Sequence, residues 1–242
     1  MLSTLILISC WPSAADLGAA IEKMSWAPLT QRAARARKLA TRILIEARRH
    51  KLDPIALAAV GSVESDYRPA ARGPGAKPRG FGYRIYEFGT FQLIPASSPV
   101  RAAARRLSRL CKPATGPAVI PTATKPSCPR DIWQARKGRA GSFRRGELED
   151  YTIGTWIAAL EIKMHLVACQ ARHKRGHGWR HAWYHKHYAK RHGLTAREVR
   201  HLDRWAHYNS GPTTRTLLRY TQKLVARYAK LKRLACRRGR SI

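Results

Sequence analysis

Acidic residues are scarce in this 242-residue chain, which contains 14 Asp and Glu against 47 Lys and Arg. With neutral histidines the formal net charge is +33. A chain this basic is drawn to polyanions and anionic surfaces, which argues against an ordinary metabolic enzyme. Nucleic acid, an anionic membrane and the anionic cell wall are all candidate partners. The length fits one globular domain with extensions, or two small domains at most.

Long hydrophobic runs are also missing. The longest, residues 1–11, is interrupted by polar side chains and falls short of the ~18 residues that a membrane-spanning helix needs. Residues 1–25 have two interpretations. They form an export segment, cleaved at the small residues 13–15 or lipidated at Cys10, or they are an apolar segment that packs on the domain. The lack of Lys or Arg before the run counts against export.

Cysteines are few, five in all, and no two of them form a CxxC pair. This spacing argues against a structural zinc site. Cys111 and Cys128 flank a proline-rich stretch, and the sequence leaves open whether they form a disulfide in an oxidising compartment or remain free thiols.

Histidines recur every four residues from His173 to His185. On a helix they would form one stripe, and pairs spaced in this way bind metals in some proteins. Gly176 and Gly178 weaken the helix, and acidic ligands are few nearby. We therefore interpret the stretch as a solvated basic surface, whose interleaved aromatic residues could extend a groove for a glycan or another anionic polymer, and we expect no metal site.

The periodicity of apolar residues predicts a mostly α-helical protein. Four helices are expected over about residues 31–50, 53–65, 151–171 and 213–235. Asp53 followed by Pro54 is a strong start signal, since Asp caps helices and Pro fits the first turn. Residues 83–94 contain β-branched and aromatic residues around Gly89, which predicts a short β-hairpin.

Glu64 is the residue whose position indicates chemistry. The residues one and two turns before it on the same helix face are Leu57, Val60 and Gly61, so the carboxyl group is expected to lie on the apolar face. Burial and the negative end of the helix dipole both raise a carboxyl pKa. A carboxyl group that stays protonated near neutral pH is suited to general-acid catalysis.

Four short motifs then occur in a recognisable order: Glu64-Ser65, GTFQLIP at 89–95, YNSGP at 208–212 and RYTQKLV at 219–225. This order resembles the goose-type lysozyme-like family of soluble lytic transglycosylases. The resemblance covers about residues 35–98, 150–171 and 203–231. The chain departs from the family pattern at Asp66, where the family usually has Gly, at Thr90-Phe91 in place of Leu-Met, and at His207 in place of Ala.

The resemblance implies a lysozyme-like α+β fold, with the small hairpin beside the active-site cleft. The corresponding domain would span residues 30–236, with basic insertions at about 97–146 and 172–202 and a basic tail at 237–242.

The resemblance also implies a reaction. Glu64 would cleave the bond between N-acetylmuramic acid and N-acetylglucosamine in peptidoglycan, first as acid and then as base, leaving a 1,6-anhydro sugar. It implies no cofactor and no metal. The implied substrate-binding residues are Ser65, Gly89, Gln92, Tyr208, Asn209 and Tyr220.

Two alternatives stay open. In a hydrolase, Glu87 would assist a water molecule, with Asp66 a poorer candidate. In a catalytically inactive chain, the fold would serve as a basic module for cell-wall polymer or DNA. The expected partners are glycan strands, other anionic polymers, and a phage virion or secretion machine. The expected location is the bacterial envelope, or a phage particle.

Overall fold

The computed structural model describes residues 10–25, 29–72, 87–95, 97–111, 127–173, 182–206 and 214–236. These residues form ten helices and no β-strand. The helices are α1 (Ala14–Met24), α2 (Leu29–His50), α3 (Pro54–Ser65), α4 (Ser98–Cys111), α5 (Arg130–Ala135), α6 (Arg145–Glu149), α7 (Tyr151–His173), α8 (Ala182–His192), α9 (Ala196–Ala206) and α10 (Thr214–Ala235).

The mostly helical class predicted from the sequence is therefore confirmed. The four expected helices are α2, α3, α7 and α10, and their ends lie within two residues of the predicted ones. Each of them has an apolar stripe that packs on a neighbour, with α2 against α7 and α10 against α3.

Helix α3 lies at the centre of the protein. Its N-cap Asp53 accepts hydrogen bonds at Oδ1 from the backbone N–H groups of Ile55 (2.8 Å) and Ala56 (3.2 Å). Asp53 Oδ2 accepts a third bond, from the Tyr228 hydroxyl of α10 at 3.0 Å. Burial nevertheless raises the pKa of Asp53 to about 7. The helix that ends at Glu64 is thus held in place from its first residue.

Helix α1 belongs to the same core. Ser13 caps it by accepting a bond from the Asp16 backbone N–H at 3.0 Å, and its Leu17 and Ile21 are fully buried against α2 and α10. Residues 14–24, which the sequence left open between an export segment and a packed one, form part of the hydrophobic core.

Two disulfides close loops in the chain. Cys10 is bonded to Cys236, and Cys111 to Cys128. A cysteine in a disulfide has no thiol to carry a lipid, so the Cys10 pairing and lipidation at Cys10 are mutually exclusive. The second disulfide closes the proline-rich stretch, whose residues 112–126 lie outside the described part.

The expected β-hairpin over residues 83–94 is not found in the described part of this segment, residues 87–94, and residues 83–86 lie outside the description. Phe88 and Leu93 form one antiparallel bridge, with reciprocal backbone hydrogen bonds of 2.9 and 2.8 Å. Gly89 and Gln92 have φ angles of 80° and 50°, so the chain turns back at once and no ladder extends. The chain therefore reverses its direction in this segment, but through a tight turn instead of a hairpin.

The segments predicted as insertions, about 97–146 and 172–202, contain α4, α5, α8 and parts of α6 and α9. Helices α4, α5 and α6 pack on α7 and bury Leu107, Ile132 and Leu148, while α8 and α9 pack on each other and on α10. The basic tail at 237–242 lies outside the described residues. None of the described helices has the length and apolar character needed to cross a membrane.

Candidate active site

Glu64 occupies the last turn of α3, where a fully buried helix reaches the surface. Leu57, Val60 and Gly61 are buried, as expected from their spacing, and Glu64 itself is half-buried. A Cβ at Gly61 would lie 3.2 to 3.4 Å from the side chains of Thr90 and Phe91. The small residue therefore lets the turn at 88–93 approach the helix one turn before the carboxyl group.

Tyr220 on α10 donates its hydroxyl hydrogen to Glu64 Oε1. The two residues are 156 positions apart, so only the packing of α10 on α3 brings them together. Tyr220 is half-buried. The described contact of the Glu64 carboxyl group is therefore an uncharged hydroxyl donor at Oε1.

Ser65, next to the acid, has a structural contact. Its hydroxyl donates to the Thr90 carbonyl oxygen at 2.8 Å, and it is buried. Gln92 Nε2 donates to the Gly89 carbonyl oxygen at 2.9 Å and points toward the Ala71 carbonyl at 3.4 Å. The Ser65 bond joins the turn at 88–93 to the end of α3, and the Gln92 bonds lie within that turn and toward Ala71.

Gly89 is required by a close backbone approach. A Cβ at this position would lie 2.2 Å from the Leu148 carbonyl oxygen, and its φ of 80° favours glycine. The turn therefore lies between the end of α3 and the end of α6.

Asp66 ends α3 with left-handed backbone angles of φ 51° and ψ 39°. Asp adopts this conformation more readily than most residues other than Gly. Arg227 Nη2 donates to Asp66 Oδ1 at 3.0 Å. The Asp66 carboxylate is thus held by a cation of α10.

Glu161 is a second acidic residue that Glu64 affects, and it was not predicted from the sequence. Glu161 lies on α7, half-buried, and the charge of Glu64 is close enough to affect it. Burial and the repulsion from Glu64 raise the pKa of Glu161 to about 7. The helix-face spacing that singled out Glu64 also applies to Glu161, since Ile157 and Ala158 on the same helix face are fully buried.

The other predicted residues are not gathered with Glu64 by any described contact. Glu87 is half-buried, and burial raises its pKa. Tyr208, Asn209 and His207 lie outside the described residues. So do the side chains of His173, His177 and His181, while His185 is buried with its Nε2 3.3 Å from Asp203 Oδ2. Within the described ranges no three side chains of His, Cys, Asp or Glu are placed to hold a metal ion.

Comparison with protein-family models, with curated proteins and with solved structures found no match to this chain.

Proposed function

We propose that this chain is a peptidoglycan lytic transglycosylase with a lysozyme-like fold, in which Glu64 acts as general acid and then as base. The observation that carries the proposal is the Tyr220–Glu64 hydrogen bond. It joins the first and the last of the four motifs that suggested the activity, and nothing in their sequence spacing requires that contact.

The reaction needs one acid that changes roles. Protonated Glu64 gives its proton to the oxygen that links C1 of N-acetylmuramic acid to the next sugar, and the C1–O bond breaks. The C6 hydroxyl oxygen of the same muramic acid then bonds to C1. Its proton returns to Glu64, so the enzyme is regenerated and no water is consumed.

Tyr220 would serve both stages. Its hydroxyl donates to Oε1 and orients the carboxyl group for the proton transfers. The same bond stabilises the carboxylate that forms when the proton has left, because hydrogen bonding to a charged form favours that form.

Glu161 supports a second candidate, hydrolysis. Most glycosidases use two carboxyl groups, one as acid and one as base or nucleophile. Glu161 is close enough to Glu64 to repel it, and its pKa of about 7 leaves part of it ionised at neutral pH. It is therefore a better-supported candidate than Glu87 for positioning a water molecule.

The net charge and the disulfides support a location in the cell envelope. Disulfides persist in oxidising compartments such as the periplasm, and a charge of +33 suits the anionic polymers of the wall. The same charge would also suit a DNA-binding module without enzymatic activity. It would equally suit an enzyme carried as a component of a phage virion.

The test is digestion of purified peptidoglycan by the wild type and by Glu64→Gln, with the products separated and weighed by mass spectrometry. We expect anhydro-muropeptides from the wild type and a rate at least about a hundredfold lower from the variant, the usual contribution of a general acid. Glu22→Gln on α1, which also replaces a single Glu by Gln, is the matched control.

Reducing-end products would identify a hydrolase, and Glu161→Gln would then be the next variant. An absence of products at every salt concentration would refute the enzymatic proposal, and a salt-dependent DNA titration would follow.

A further inference from the structure

An open groove of about 630 Å³ lies beside helix α4. The helix lines it with Arg101, Arg105 and Arg109, all of which are exposed. These arginines are spaced by four residues, so they form one row on a single helix face, with about 6 Å between successive positions. The groove therefore offers a regular row of guanidinium groups to a ligand that extends along α4.

Both walls of the groove are held by contacts within the protein. The wall outside α4 consists of Gly141 and Ser142, whose carbonyl oxygens accept hydrogen bonds from Nη2 of the buried Arg136 at 3.1 and 3.0 Å. On the other wall, the Cys111–Cys128 disulfide ties down α4 two residues after the last arginine of the row. The shape of the groove is thus part of the fold.

The chain supplies no acidic side chain to this row of arginines. All 14 Asp and Glu residues of the sequence belong to the described residues, and none of them lines the groove. The Lys and Arg side chains with which they form the described ion pairs all lie outside it. The row is therefore a concentration of positive charge that the protein itself does not neutralise.

The stability of α4 does not account for the row. Like charges four residues apart repel each other on a helix surface. Arg101 also lies in the first turn, where the helix dipole disfavours a cation. A bound polyanion would remove the repulsion along the whole row, which a solvated helix surface has no reason to build up.

We propose that this groove binds a polyol-phosphate chain, a type of cell-wall polymer in which a phosphodiester follows each short polyol unit. The guanidinium fork matches the oxygens of a phosphate, and phosphates separated by a three-carbon polyol recur at a distance close to one helical turn. A nucleic-acid strand fits less well, because its bases stack on aromatic side chains and none is among the described residues that line the groove. The inference goes beyond the proposed reaction and shares with it only the location in the cell wall.

The first experiment is calorimetric titration of a short synthetic poly(glycerol phosphate) into the full-length wild type and the variant Arg101→Gln/Arg105→Gln/Arg109→Gln. We expect binding to the variant to be weaker by at least about tenfold, because charge-assisted contacts are lost. The slope of log affinity against log salt concentration should fall by about 2, at roughly 0.7 for each phosphate contact removed. Unchanged affinity and slope would overturn the proposal.

The matched control is Arg191→Gln/Arg197→Gln/Arg200→Gln, which removes three exposed arginines from α8 and α9. It lowers the net charge by the same amount, and we expect it to weaken binding by less than about threefold, since only the long-range attraction changes. Equal weakening by the two triple variants would show attraction to the net charge alone and would refute a site on α4. Thermal unfolding of both variants verifies that they are folded.

The second experiment tests the chemistry of the ligand with two other polyanions of equal charge, polyglutamate and single-stranded oligo-dT. We expect both to bind more weakly than poly(glycerol phosphate), because the first lacks phosphates at the spacing of the row and the second presents bases to a groove without aromatic side chains. Equally tight binding of polyglutamate would refute a phosphate site. Oligo-dT binding that is equally tight and is lost in the α4 variant would assign the groove to nucleic acid instead.

These titrations do not depend on cleavage of a glycan strand. If the wild type cleaves no peptidoglycan but binds poly(glycerol phosphate) through α4, the proposed reaction fails and the groove stands. Cleavage without such binding would reject the groove alone.

Discussion

Two pairs of acidic residues in this basic protein lie in different regions. On the α2 and α5 side, Glu46 is fully buried between Arg42 and Arg49, and both arginines also contact Asp131. At the end of α3, Glu64 accepts a hydrogen bond from a tyrosine hydroxyl, and burial together with the charge of Glu64 raises the pKa of Glu161. In the first arrangement, the arginines hold the pKa of Asp131 below its usual value.

The difference has a chemical reason. In a chain with 47 basic side chains, the described ion pairs with Lys or Arg involve Glu46, Asp66, Asp131, Glu147, Glu149 and Glu198. A guanidinium beside a carboxylate stabilises the ionised form and would deprive a general acid of its proton. A tyrosine hydroxyl orients the carboxyl group without adding a charge. The described contact of Glu64 with Tyr220 thus differs from the contacts of Glu46 and Asp131.

The largest expected effect tests the paired region. Glu46→Gln removes the charge between two arginines, one of them nearly fully buried, and should lower the free energy of unfolding by about 3–5 kcal/mol. Denaturant titration would measure it. Glu149→Gln breaks the exposed pair with Arg145 and should cost less than about 1 kcal/mol. Equal losses would show that burial does not distinguish the two pairs.

A medium effect is expected at Glu161. Its folded pKa is raised, so the folded state binds more protons than the unfolded state between pH 4.5 and about 7, and stability falls as the pH rises through that window. Glu161→Gln should remove this fall, worth about 1–3 kcal/mol after allowance for partial exposure.

Unfolding across the pH range would measure the effect. Glu147→Gln is the opposite control: arginines lower the pKa of Glu147, so its contribution is present above the unfolded pKa and is lost as the pH falls through the folded pKa. Parallel curves for the wild type and Glu161→Gln would contradict the raised pKa.

The smallest effect separates orientation from stability. Tyr220→Phe removes the donor to Glu64 and should lower the peptidoglycan cleavage rate about tenfold, or ~1.4 kcal/mol, with little change in stability. Tyr228→Phe, on the same helix, removes the donor to Asp53 and should lower stability by about 1 kcal/mol without changing the rate. Rate assays and thermal unfolding on both variants would measure the two effects. A rate loss in Tyr228→Phe, or a stability loss in Tyr220→Phe, would contradict these roles.

Local signals predicted the elements that have strong local causes. The Asp53-Pro54 cap fixed the start of α3, and its apolar run placed Glu64 at the far end. Helix α1 was not predicted, because Ser13 and the alanines after it were left open between a cleavage site and a packed segment, although Ser13 and Asp16 form an ordinary N-cap. The hairpin prediction was wrong for the part that is described, because β propensity at 87–94 does not show where two positive φ angles end the pairing.

The surroundings of the candidate site residues could not be predicted, because they depend on tertiary contacts. Ser65, Gly89 and Gln92 were expected to touch the substrate, but the contacts described for them hold the turn beside α3. Their role toward the substrate stays a prediction. The electrostatic effect of Glu64 on Glu161 depends on the relative positions of α3 and α7. Residue spacing along either helix does not encode those positions.

The Cys10–Cys236 disulfide has a topological consequence. The bond joins positions 226 residues apart, so nearly the whole chain forms one covalent ring, with the Cys111–Cys128 loop as a smaller ring inside it. A ring has no free end at which unravelling can start, and a single backbone cut between residues 10 and 236 leaves one molecule. A chain nicked once in a surface loop therefore keeps α1, α3 and α10, and with them Glu64 and Tyr220, in one covalent molecule.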